Sequence, residues 1–185
     1  MLLRIVQYGH PALRVKGRRV GRADDRIRQL SADMLETMYD AHGLGLAAQQ
    51  VGEALRMTVI DVLPLLKERP STLTVGGEEQ DLEKWMPLTL LNPEVTLQED
   101  RDVASEGCLS FPDINGDVVR STKVRVKADL LDGRAVEFEA TGMLARAIQH
   151  EVDHLNGVLF IDRMNSATRA SLKGRLKRLQ RESEE

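Results

Sequence analysis

The sequence holds a single cysteine, Cys108, so no internal disulfide can form. A reducing, cytoplasmic setting is the expectation. The start of the chain lacks the charged, apolar and small-residue sections of a signal peptide, and no apolar run approaches the roughly 20 residues that a membrane span requires. The expectation is a soluble protein with no membrane partner. No concentrated basic block occurs before the last turns, and the net charge is −3, so specific nucleic-acid binding has no electrostatic basis. Proline is scarce at six residues, while hydrophobic residues make up 42% and charged residues 30%, a balance that excludes a disordered chain. A length of 185 residues suits one domain, residues 1–185, that buries about two-thirds of the surface of its unfolded form.

Apolar residues Ile27, Leu30, Met34, Leu35 and Met38 recur at three- and four-residue intervals from Asp25, which predicts a core-facing helix ending by Gly43. Before it, Leu2 to Gln7 reads as a short strand or extended arm, broken by GHPALR. Met57 to Val62 suits a buried strand, and Thr89 to Leu91, ahead of Asn92 and Pro93, suits another. Between them, residues 64–86 carry proline, a Gly76/Gly77 pair and several acids, which predicts an extended surface connection that Trp85 and Met86 return to the body. Val124, Val126 and Ala128 alternate with charged residues, a turn follows at Leu131 to Arg134, and Val136 and Phe138 alternate again, so this is a hairpin. Gly142 opens a second helix with Met143, Leu144, Ala147, Ile148 and Leu155 on one broad face. A C-terminal helix begins at about Ser166, with Leu172, Leu176 and Leu179 on one side and lysines and arginines elsewhere.

The chemistry sits on the second helix. QHEVDH sets His150 and His154 four apart, and about 3.6 residues per turn bring both imidazoles to one side, where they can reach one cation. Glu151 follows the first histidine, so its carboxylate can stand beside the water of such a site without ligating, as a general base must. A catalytic zinc-type site takes three protein donors and leaves a position open. Cys108, in EGCLS, is the candidate for the third, where Gly107 allows close backbone approach; a buried small hydrophobe is its competing role. GLGLAAQQVG, Gly43 to Gly52, has neither the spacing of a dinucleotide fingerprint nor a phosphate loop's GK[ST]. Its glycines and alanines suit a backbone approached closely, by a packed helix or by an extended peptide pairing with it.

GLGLAAQQ, EGCLS and QHEVDH, in this order, resemble the three motifs of the peptide deformylases at every defining letter, and the likeness extends through YGHPALR and HLNGVLF. The resemblance implies an α+β fold in which antiparallel β-sheets surround a central motif-bearing helix, with an N-terminal and a C-terminal helix. It implies hydrolysis of the N-terminal formyl group from N-formylmethionyl nascent polypeptides, with formate released. It implies one divalent metal on Cys108, His150 and His154, Fe(II) in the cell, with Zn(II) or Ni(II) tolerated in purified protein. By the same resemblance Glu151 is the base, Gln50 and the N–H of Leu109 meet the developing oxyanion, Gly45 with its neighbours, Gly43 among them, pairs with substrate backbone, and Leu44, Glu106, Met143 and Ala147 surround the methionine side chain.

Two features depart from the pattern. Asn115 stands where many members carry arginine, and the 64–86 segment looks longer than usual. Arg146, one turn before His150, is expected in solvent. The basic C-terminal helix is expected to close the core; transient ribosome contact through its cations is the second reading. HExxH alone also fits a zinc endopeptidase, and a relative with a purely structural metal is the third alternative.

Overall fold

A computed structural model describes residues 1–184. Helix α1 (Asp25–Asp40) starts where the Asp24 carboxylate accepts the N–H of Ile27 at 2.9 Å, satisfying one of the donors that a helix start leaves open. Its apolar stripe buries Ile27, Met34 and Met38 against Leu46, Met57 and Val59. The N-terminal segment is an extended arm rather than a strand, tied down by the Val6 N–H on the Gln50 carbonyl at 2.8 Å.

Among the described residues nine strands form two antiparallel sheets. The first holds seven strands in the order β1 (Gly45–Ala47), β2 (Met57–Ile60), β5 (Leu88–Leu97), β8 (Lys123–Asp129), β9 (Ala135–Thr141), β3 (Ser71–Val75) and β4 (Glu78–Glu79); β6 (Arg101–Cys108) pairs with β7 (Phe111–Ser121) in the second. The expected hairpin is β8–β9, with Val126 opposite Phe138 and with Arg125 and Lys127 turned to solvent. Strand β5 outruns its prediction, because a register shift between Leu91 and Glu94 absorbs Pro93, the kind of irregularity where a residue without an N–H is tolerated.

The 64–86 segment is not the surface connection expected. Thr72 and Leu73 pair with Thr141 and Ala140, so β3 extends the large sheet, a short helix α2 (Leu82–Trp85) follows, and Leu73 is fully buried. Alternation in Thr72-Leu73-Thr74-Val75 is a strand signal; Pro70 and the Gly76/Gly77 turn bound it closely enough to mask it.

Helix α3 (Gly142–Leu155) lies between the sheets. Its first residue has φ +65°, and a Cβ there would sit 2.0 Å from the Pro70 carbonyl oxygen, so only glycine fits. Leu144 and Ile148 pack on Leu73, Leu90, Val126 and Phe138 of the large sheet. The other side of α3 meets β6 and β7. Helix α4 (Ser166–Glu184) seats Leu172, Leu176 and Leu179 against Phe111 and Phe160, which closes a further core. No helix among the described residues is long and apolar enough to cross a membrane.

Candidate metal centre

Two elements bring three donors together. Helix α3 presents His150 and His154 one turn apart, and β6 ends on Cys108; one ligand atom from each lies within 4.8 Å of the others. The Sγ of Cys108 stands 3.4 Å from Nε2 of His154. Nδ1 of His150 faces Oε1 of Glu106 at 2.9 Å, which leaves Nε2 as the nitrogen free to ligate. A soft sulfur beside two imidazoles is a donor set for zinc, iron or nickel rather than calcium or magnesium, so the residues fit a divalent transition metal. His42 lines the cleft in front but is not among these donors, and His10 accepts the Ala12 N–H at 3.2 Å far from them.

The carboxylate of Glu106 is fully committed. Arg120 grips it with two bonds of 2.9 Å, and Arg146 donates to it at 2.7 Å. Burial alone would raise its pKa; hydrogen bonds from His150 and Arg120, with their charges, outweigh this and hold it well below the usual carboxylate range. Arg120 reaches on to Asp153 at 2.6 Å, and Arg163 donates to the same side chain at 2.9 and 3.1 Å. Arg146 is therefore not in solvent. It is 4% exposed and also donates to the carbonyls of Val118 at 2.9 Å and Asp102 at 3.0 Å. The reason is topological: β6 and β7 cover the side of α3 that a surface helix would leave wet. The signal was the polar series Arg146, Gln149 and Asp153 at three- and four-residue spacing, a second stripe that sequence reading left unassigned.

Glu151 is 4% exposed, and its Oε2 has no hydrogen-bond partner among the described residues. Burial pushes it up to about 7 against the opposing charge of His150. A Cβ on Gly45 would lie 2.5 Å from its Oε1, so the glycine exists to let this carboxylate pack against β1. Gln50 closes the other side. Its Oε1 accepts the Ala47 N–H at 2.9 Å, which turns the amide so that Nε2 faces Ser110 Oγ at 3.2 Å and the Cys108 sulfur at 3.5 Å.

Cys108, His150, Glu106, Glu151 and Gln50 open on one cleft of about 620 Å³. Of the residues singled out by motif, Gly43, Leu44, Gly45, Gln50 and Glu106 line it, as do Cys108, Leu109, Met143, Ala147, His150 and Glu151; His154 alone sits behind. Strand β1 forms one edge of the large sheet. The Asp61 N–H on the Leu44 carbonyl at 2.8 Å turns Leu44 toward β2, and antiparallel alternation then turns the N–H and C=O of Gly45 outward. Among the described residues the N–H of Leu109 makes no backbone hydrogen bond outside the strands.

The cleft can be compared with known proteins. The profile of the polypeptide deformylase family matches residues 2–170. The peptide deformylase of Methylacidiphilum infernorum is 45% identical over 181 residues, covering 98% of this chain and 94% of that protein. The crystal structure of a peptide deformylase from Synechococcus elongatus in complex with actinonin superposes with a TM-score of 0.79 at 39% identity, over 96% of this chain and 85% of that one. The peptide deformylase of Thermus thermophilus gives 0.82 at 34% identity, over 98% and 99%. Agreement in sequence and in backbone along nearly the whole length leaves one conclusion, that the chain belongs to the polypeptide deformylase family.

Proposed function

We propose that Cys108, His150 and His154 hold one divalent cation with a position left open, and that Glu151, Gln50 and Leu109 carry out the proton and charge work beside it. The activity is that of the family, metal-dependent removal of the N-terminal formyl group from nascent peptides. The convergence of one sulfur and two imidazoles next to a buried carboxylate with an unpartnered oxygen carries this reading.

Bound there, a cation supplies Lewis acidity toward water and carbonyl oxygen. Glu151 accepts a proton from the attacking water, whose oxygen bonds to the formyl carbon, and returns it to the peptide nitrogen as the carbon–nitrogen bond breaks; formate and a free amine leave. A carboxyl near neutrality can do both, and a nearby positive charge draws it back toward the ionised form that the first step needs. The Nε2–H of Gln50 and the N–H of Leu109 donate to the former carbonyl oxygen as negative charge builds on it. The outward N–H and C=O of Gly45 pair with the extended substrate backbone, with Gly43 beside them. Leu44, Met143 and Ala147 take the methionine side chain, while Glu106 lines the same cleft and orients His150 rather than touching methionine alone.

Fe(II) is the metal proposed in the cell, and the cytoplasm, where formylated chains are made, the location. The exposed cations of α4 supply a transient ribosome contact, to be tested by charge-neutral variants of Lys173, Arg175 and Lys177 in a salt-dependent binding assay. Protein purified without oxygen should release formate from a formyl-Met peptide in proportion to bound metal. Metal-loaded protein that releases none would overturn the reading.

A further inference from the structure

The segment before β3 brings a cation to the cleft. Leu65 and Arg69 line it, on the wall beside Met143. Arg69 is half-buried, yet among the described residues no carboxylate lies within 4.0 Å of its guanidinium and its side chain makes no hydrogen bond. Its backbone is firmly held. The Arg69 N–H bonds to the Leu65 carbonyl at 2.7 Å, the Met143 N–H reaches the Pro70 carbonyl at 3.3 Å, and the Leu144 N–H donates to Ser71 Oγ at 2.9 Å. A cation carried on a turn with a hydrogen-bonded backbone, its own side chain without an internal partner, is available to an anion from outside.

The buried charges of the cleft are accounted for. Glu106 is spent on Arg120, Arg146 and His150, and Arg146 is neutralised by Glu106. Glu151 faces the donors. The opposite wall offers Asp113, exposed on β7, and Asn115, which carries no charge. His42 is exposed at the rim. Pro70, next to Arg69 in the chain, is bonded to Met143, so Arg69 stands beside the wall proposed for the methionine side chain, within reach of the residues that follow it.

We propose that Arg69 is a specificity-determining residue that selects formylmethionyl peptides with an acidic side chain at the second or third position. This rests on the deformylase reading of the cleft. The contact exists before and during reaction alike, so it acts on KM rather than kcat.

The test compares kcat/KM of the metal-loaded enzyme for formyl-Met tripeptides carrying Asp, Asn or Lys at position two, and again at position three. A partly exposed ion pair gives Asp an advantage over Lys of about two- to fivefold at low salt. The advantage should fade as ionic strength rises, vanish in Arg69→Gln and reverse in Arg69→Glu. Because each preference is a ratio measured on one preparation, a partly unfolded or metal-poor variant lowers both rates and leaves the ratio intact. An Asp/Lys ratio identical in the wild type and both variants at both positions overturns the proposal, and so does a ratio that responds only to Asp113→Asn. Failure to cleave any formyl peptide is a different result: it removes the deformylase reading and this proposal with it.

Discussion

Helix α3 buries two sides that could hardly differ more. Toward the large sheet it presents Leu144 and Ile148 to a dry layer with Leu73, Val126 and Phe138. Toward β6 and β7 it presents Arg146, Gln149, His150 and Asp153, all buried and all hydrogen-bonded. Dry packing stabilises without fixing any one atom, since volume and shape are its only demands. The charged side adds little net stability, because desolvating its ions offsets most of their attraction; what it gives is direction. Every bond from Arg120 and Arg146 narrows where Glu106 can stand, and hence where Nε2 of His150 points.

Substitutions separate these roles. Glu151→Gln keeps shape and metal and should lower turnover by about 10² to 10⁴, the span of a general base; full activity in formate-release assays would show that another group moves the proton. Gln50→Ala removes the proposed oxyanion donor and should lower kcat by about 10² to 10³, with metal content unchanged on elemental analysis. Glu106→Gln breaks the charged side, weakening metal binding by about 10- to 100-fold in chelator competition. It also takes from Arg146 its one carboxylate partner among the described residues, while Arg120 keeps Asp153, at about 3–5 kcal/mol in denaturant unfolding. Leu144→Ala is its counterpart on the dry side: about 2–5 kcal/mol of stability lost through the cavity, with chelator resistance of the folded protein near wild type. Equal loss of metal affinity in both variants would erase the distinction between the two sides.

The smallest effect is on pH. The folded-state pKa of Glu106 lies below its ordinary 4.5, so its stabilising contribution is complete above that value and drains away as acid brings the pH down toward the depressed one. Unfolding midpoints followed below about pH 4.5 should fall more steeply for wild type than for Glu106→Gln.

Much of this was legible in the residues. Periodicity located α1, the β8–β9 hairpin and α4, because each buries one face and so carries a clean period of its own, and it located α3 through the apolar one of its two buried sides. Motif spacing pointed to His150, His154 and Glu151 as neighbours on one helix, and the structure brings Cys108 to the two imidazoles. The rest depended on contacts distant in sequence. Arg146 reads as a surface residue until β6 and β7 cover it, and the partners of Glu106 lie 14 and 40 residues away. Strand β3 was hidden by its short length and its flanking proline and glycines. Gly45 reads in the sequence as a point of close backbone approach, and the structure shows that its lack of a side chain admits Glu151 of α3.

The most direct measurement is X-ray absorption at the edge of the bound metal in the loaded enzyme. One sulfur and two imidazole nitrogens with a further light scatterer from solvent are predicted, the sulfur lost in Cys108→Ser. A sphere without sulfur, or one filled by a fourth protein donor, would contradict the assignment of Cys108, His150 and His154 as an open catalytic site.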